Sequence, residues 1–76
     1  MIDVSVGSDY AMMEGPKFKA YYGYEEIDEP TQNWCFVVWK NSKEVFRRTT
    51  EELAPIANGY GPAEMLLLGL ALYMNK

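Results

Sequence analysis

From Ala63 to Met74 the chain carries one charge, Glu64, and otherwise runs through Met65, three consecutive leucines, Gly69, Leu70, Ala71, Leu72 and Tyr73. A helix advances about 100° per residue, so Leu66, Leu67 and Leu68 sweep about 200° of its circumference. A helix on a protein surface keeps a polar stripe for water. This one has none, so a single sheet face cannot cover it. Met65, Leu68 and Leu72 gather on one side with Gly69 at the edge, and are expected to face inward. Leu67, Leu70 and Met74 gather on the opposite side and are expected to meet a second copy across a two-fold axis. The competing reading covers that side with the short helix that precedes it.

The remaining elements follow from periodicity and punctuation. Pro62 suits the first helical position and Glu64 the positive first turn, which sets a helix from about Pro62 to Met74. Upstream, Thr49 and Glu52 have the spacing of a capping box, and Pro55 keeps that helix short. Asn33 to Lys40 is the strongest strand. Trp34, Phe36 and Val38 face one way and Cys35, Val37 and Trp39 the other, so both faces must be covered. Asn41-Ser42 turns the chain into a return strand over 44–48. Phe18, Ala20, Tyr22 and Tyr24 alternate with Lys19 and Tyr21 in a further strand. Ile2, Val4 and Val6 alternate with Asp3 and Ser5 in a short one. Ser8 to Glu14 is read as a loop or a single helical turn ended by Gly15-Pro16. The expected architecture is α+β, one domain over residues 1–76. It has an antiparallel sheet of three or four strands, with one short and one C-terminal helix on one face.

Composition then excludes functions. The 76 residues contain no histidine and one cysteine, Cys35. That removes a Ser-His-Asp or Cys-His nucleophile, His-ligated zinc, a CxxC redox pair and an intrachain disulfide. No enzyme activity, metal or cofactor is expected. Cys35, on a buried strand, is read as an inert small hydrophobe. Residues 1–39 hold two basic against seven acidic side chains, and residues 40–76 five against four. Nucleic-acid binding depends on clustered positive charge, and the only basic pair is Arg47-Arg48. An acidic balance instead favours basic partner surfaces. Met1 to Val4 lacks the basic start and apolar stretch of a signal peptide, and Met65 to Met74 is shorter than the about 20 residues that span a bilayer. A cytoplasmic protein and a complete small reading frame are the expectation.

Three further features compete for a role. Glu25, Glu26, Asp28 and Glu29 lack the alternating ligands and turn glycine of a calcium loop, and adjacent exposed acids do not raise one another's pKa by burial. They are read as a solvated loop first, and second as a docking surface for a basic protein groove. With Tyr21 they are the candidate partner-binding residues. The aromatics Tyr21, Tyr22, Tyr24, Trp34 and Trp39 are read first as core, then as protein interface, and last as a stacking platform for bases. Gly59-Tyr60-Gly61 precedes a helix, but Glu64 stands where the dinucleotide fingerprint needs a third glycine and would repel a phosphate. It is read as a turn between helices.

In size, charge and element order along its whole length, the chain resembles the small acidic proteins that phages encode against host defences, anti-CRISPR proteins among them. Its net charge of −4 departs from the strongly acidic DNA mimics of that group. The resemblance implies a non-catalytic protein that blocks a host protein or ribonucleoprotein complex by surface occlusion, in the host cytoplasm. The alternatives are a small homo-oligomeric structural or assembly protein of a phage, and a weak nucleic-acid-binding regulator.

Overall fold

The computed structural model describes residues 1–25, 33–53, 55–56 and 59–75. Five strands, β1 (Asp3–Val6), β2 (Tyr10–Gly15), β3 (Phe18–Glu25), β4 (Asn33–Lys40) and β5 (Lys43–Thr49), precede α1 (Thr50–Leu53) and α2 (Pro62–Met74). The strands form one antiparallel sheet in chain order, each beside its predecessor. The α+β expectation holds, but the sheet has five strands rather than three or four.

The additional strand is β2, where the sequence reads as loop or helical turn. Ala11, Met12, Met13 and Glu14 are good helix formers and Ser8 resembles a helix cap. The sheet overrides that preference, because β2 has a partner on both sides. Met13 lies opposite Val4 on β1 and opposite Ala20 on β3. Ser8 instead sits in the β1–β2 turn, closed by the Gly7 amide donating to the Tyr10 carbonyl at 2.9 Å. The Ser5 and Tyr10 hydroxyls share a hydrogen bond of 2.7 Å across the same hairpin.

The β4–β5 hairpin forms as the pattern dictates. Asn41 and Ser42 both take positive φ, 56° and 65°, as the two-residue type I′ turn requires. Beyond the turn, Trp39 pairs with Glu44 and Val38 with Phe46, leaving Val45 as the extra residue of a bulge. The Thr49 amide donates to Glu52 Oε1 at 2.9 Å, so Glu52 reaches back as a capping box demands. The helix then lasts one turn and ends at Leu53. α2 begins with Pro62, and Glu64 Oε1 accepts from the Gly61 amide at 2.8 Å. It ends where Asn75 donates to Ala71, its side-chain amide at 2.8 Å and its backbone amide at 3.1 Å.

Both helices pack on one face of the sheet. The core there joins Ala11, Ala20, Tyr22, Phe36, Val38 and Phe46 from the strands to Leu53, Met65 and Leu66 from the helices. Phe46 meets Phe36 and Tyr73 edge to face, with centroids at 6.0 and 5.5 Å.

The rotation of α2 corrects the expected division of its sides. Its buried residues are Met65, Leu66 and Gly69. Gly69 is the centre of the buried arc and not its edge, because only a residue without a Cβ lets the backbone lie on the Phe36 ring. Leu68 and Leu70 stand about 100° to either side of Gly69, so both become half-buried flanks packed against the core. Leu70 therefore does not share an outward stripe with Leu67 and Met74. Those two are exposed, 63% and 78%, with Ala63 and Ala71 beside them. An outer apolar side exists, but it is Ala63, Leu67, Ala71 and Met74.

Candidate functional site

The sheet face turned away from the helices is the second surface that the fold builds. The strand registers place Ser5, Met12, Tyr21, Val37 and Arg47 in one row across it, and Glu14, Lys19, Trp39 and Glu44 in the next. No helix covers this face among the described residues, yet Val37 and Cys35 are buried, at 0% and 3% exposure. Long neighbours close over them. Tyr21 and Arg47 flank Val37 on either side, and Arg47 Nη1 lies 3.5 Å from Cys35 Sγ. Tyr21 folds along its strand onto Gly23, where any Cβ would collide with its ring. Its ring stacks on Tyr10 at 6.4 Å with 16° between planes.

Charges are interleaved with the rings. Lys19 Nζ sits 5.1 Å from the Trp39 ring centroid, a cation–π contact across the β3–β4 pair. Arg47 holds Glu44 with both fork nitrogens, Nε at 3.0 Å and Nη2 at 2.9 Å. That hydrogen bond, with the positive charge behind it, holds the Glu44 carboxyl below the usual carboxylate range. The result is a pre-ordered surface of half-buried Tyr10, Met12, Tyr21, Trp39 and Arg47 with both charge signs between them. A shallow hollow of about 230 Å³ lined by Glu14, Lys17, Lys19, Trp39 and Ser42 marks one end.

The sequence-predicted residues are distributed unevenly. Tyr21 lies in the middle of this face. Glu25 is the last residue of β3, while Glu26, Asp28 and Glu29 fall outside the described residues. The aromatic set divides by strand parity. Tyr21 and Trp39 belong to the open face, whereas Tyr22 and Trp34 lie on the helix side with centroids 5.7 Å apart. Sequence reasoning missed Tyr10 and Met12, which join the face only because β2 is a strand. In the sequence Arg47 reads as half of a basic pair. Strand alternation separates that pair, and Arg48 instead stacks over Phe46 on the helix side, 4.3 Å from the centroid. Gly59 takes φ 79°, as a turn before α2 would use it.

These features define a small antiparallel-sheet protein with one face sealed by helices and the other bearing an ordered aromatic and charged surface. No protein-family model matches the chain, and neither a curated protein nor a solved structure matches it. No helix among the described residues is long and apolar enough to cross a membrane.

Proposed function

We propose that the protein is a non-catalytic binding module that docks a partner protein on its open sheet face. The observation that carries this reading is the composition and order of that face. Tyr, Trp, Met and Arg are the side chains enriched in interface centres, and here Tyr10 and Tyr21, Trp39 and Arg47 are held by stacking, cation–π contact and a bidentate ion pair respectively. Side chains already ordered lose less entropy on binding. The charges favour protein over nucleic acid: Lys19 and Arg47 are balanced by Asp3, Glu14 and Glu44 on the same face, so no basic track runs across it. The finer version follows the resemblance to phage anti-defence proteins. The partner is then a host defence complex, a CRISPR effector among the candidates, blocked by occlusion.

The test is phage plating on strains that each carry one defined CRISPR type and express the protein. The reading expects restored plating in at least one strain, lost on combining Tyr21→Ala with Trp39→Ala while the chain stays folded. Unchanged plating across the panel removes the anti-defence version. Restoration that survives the double substitution removes the open face as the docking surface.

A further inference from the structure

The two edges of the sheet are built differently. The β5 edge carries Lys43, Glu44, Arg47 and Arg48 and is bent by the Val45 bulge, the usual devices that keep a sheet edge from pairing. The β1 edge carries a single charge, Asp3. It presents Ile2, Val4 and Val6, exposed at 62%, 61% and 53%, with no lysine, proline or bulge.

Backbone parity adds a second property. The Gly7 amide donates to the Tyr10 carbonyl, so Gly7 and Tyr10 form a hydrogen-bonded pair of the β1–β2 ladder. Such pairs alternate along an antiparallel ladder. Ser5–Met12 and Asp3–Glu14 are therefore the bonded pairs, and Val4 and Val6 direct their N–H and C=O groups to the free edge. Ile2 continues the series, its side chain beside Gly15 as the register requires. The residues whose backbone groups find no partner among the described residues are thus the same three that carry the exposed aliphatic side chains.

We propose that β1 pairs antiparallel with β1 of a second copy, about a two-fold axis through Val4, to make a continuous ten-stranded sheet. This rests on the edge alone and is independent of the open-face reading. The strand matches itself when reversed. With Val4 opposite Val4, Ile2 falls opposite Val6, and all three aliphatic pairs lie on one side of the joined sheet. The same register sets Asp3 opposite Ser5 rather than opposite another Asp3, so no like charges meet. A slip of one residue would put valine against aspartate or serine, and a two-residue slip toward the N-terminus would oppose Asp3 to itself. The contact is small beside the about 800 Å² per partner of a standard interface, so the dimer is a reversible one seen at high concentration.

Sedimentation velocity from micromolar to millimolar protein tests this, with Val4→Lys, Val4→Glu and their equimolar mixture. Position 4 is exposed, so both variants should fold. The wild type should show a concentration-dependent monomer–dimer equilibrium, and each variant alone should dimerise at least about tenfold more weakly because like charges face across the axis. The mixture should recover a heterodimer, because only in this register does position 4 face itself. Amide exchange on the wild type gives a measurement free of substitutions: the Val4 and Val6 amides should become protected as concentration rises. A wild type that stays monomeric, a mixture that fails to recover, or a dimer abolished by Leu67→Glu on the outer side of α2 would overturn the proposal.

Discussion

Gly69 rests directly on the ring of Phe36, with the α2 backbone over a side chain that is itself wholly buried in the sheet core. A Cβ at position 69 would fall inside the van der Waals envelope of the ring, and the ring is fenced by Tyr22, Val38 and Phe46. This contact sets how close α2 approaches and which way it is turned.

Gly69→Ala should therefore destabilise the protein, although alanine is the better helix former by about 1 kcal/mol. Overpacking a tight core costs about 1–3 kcal/mol, which outweighs that gain. Urea denaturation of Gly69→Ala, Phe36→Leu and the pair checks it. The double variant should recover part of the loss, since the smaller side chain yields the space that the methyl needs. Additive losses would mean that the two residues do not limit each other.

The corrected rotation of α2 gives three of its leucines different environments. Leu66→Ala should cost about 2–5 kcal/mol, as truncation of a buried leucine does. Leu67→Ala should fall within about 0.5 kcal/mol of the wild type. Leu70→Asp should destabilise the monomer, because Leu70 packs against the core. Thermal melts of the three variants order them. A Leu70→Asp protein as stable as the wild type would restore the outward assignment of that residue.

Cys35 should be slow to react with a thiol reagent in the native protein and fast in urea, because reactivity follows access to the thiolate. Arg47 lies against the sulfur, so Arg47→Ala should speed native labelling several-fold while leaving the urea rate unchanged. Absorbance-monitored labelling reads both rates. Equal native rates for wild type and variant would show that Arg47 does not shield the thiol.

Glu44 and Glu52 give the acid limb of stability its sign. The Arg47 hydrogen bond lowers the Glu44 pKa, and the Thr49 amide, followed by the Thr49 hydroxyl and the Arg48 charge, lowers that of Glu52. A folded pKa below the unfolded one means that the stabilisation is complete above the unfolded carboxylate pKa and is lost as pH falls through the folded value. Denaturation at a series of pH values should show Glu44→Ala and Glu52→Ala destabilised at neutral pH, Glu44→Ala by about 0.5 kcal/mol as for an exposed pair. Each difference from the wild type should begin to shrink as pH enters the ordinary carboxylate range and vanish below the lowered folded value. A difference independent of pH would assign the loss to packing instead.

Much of the frame is local chemistry and is legible without coordinates. Alternation in 33–40 and 18–24, the Asn41-Ser42 turn, the Thr49–Glu52 box and the Pro62 start each depend on residues a few positions apart, and each forms where the pattern puts it. Strand parity separates Tyr21 from Tyr22 and Trp39 from Trp34, but only the β3–β4 register joins Tyr21 to Trp39 on the open face and Tyr22 to Trp34 on the helix side. Two further things depended on distant partners. Residues 10–15 have helix-forming composition, and only neighbours on both flanks make them a strand, which brings Tyr10 and Met12 to the open face. The helix from 62 to 74 is apolar nearly all round, so its own pattern could not choose the buried arc. The choice fell to Phe36, because its ring admits the backbone only at the one residue that has no side chain.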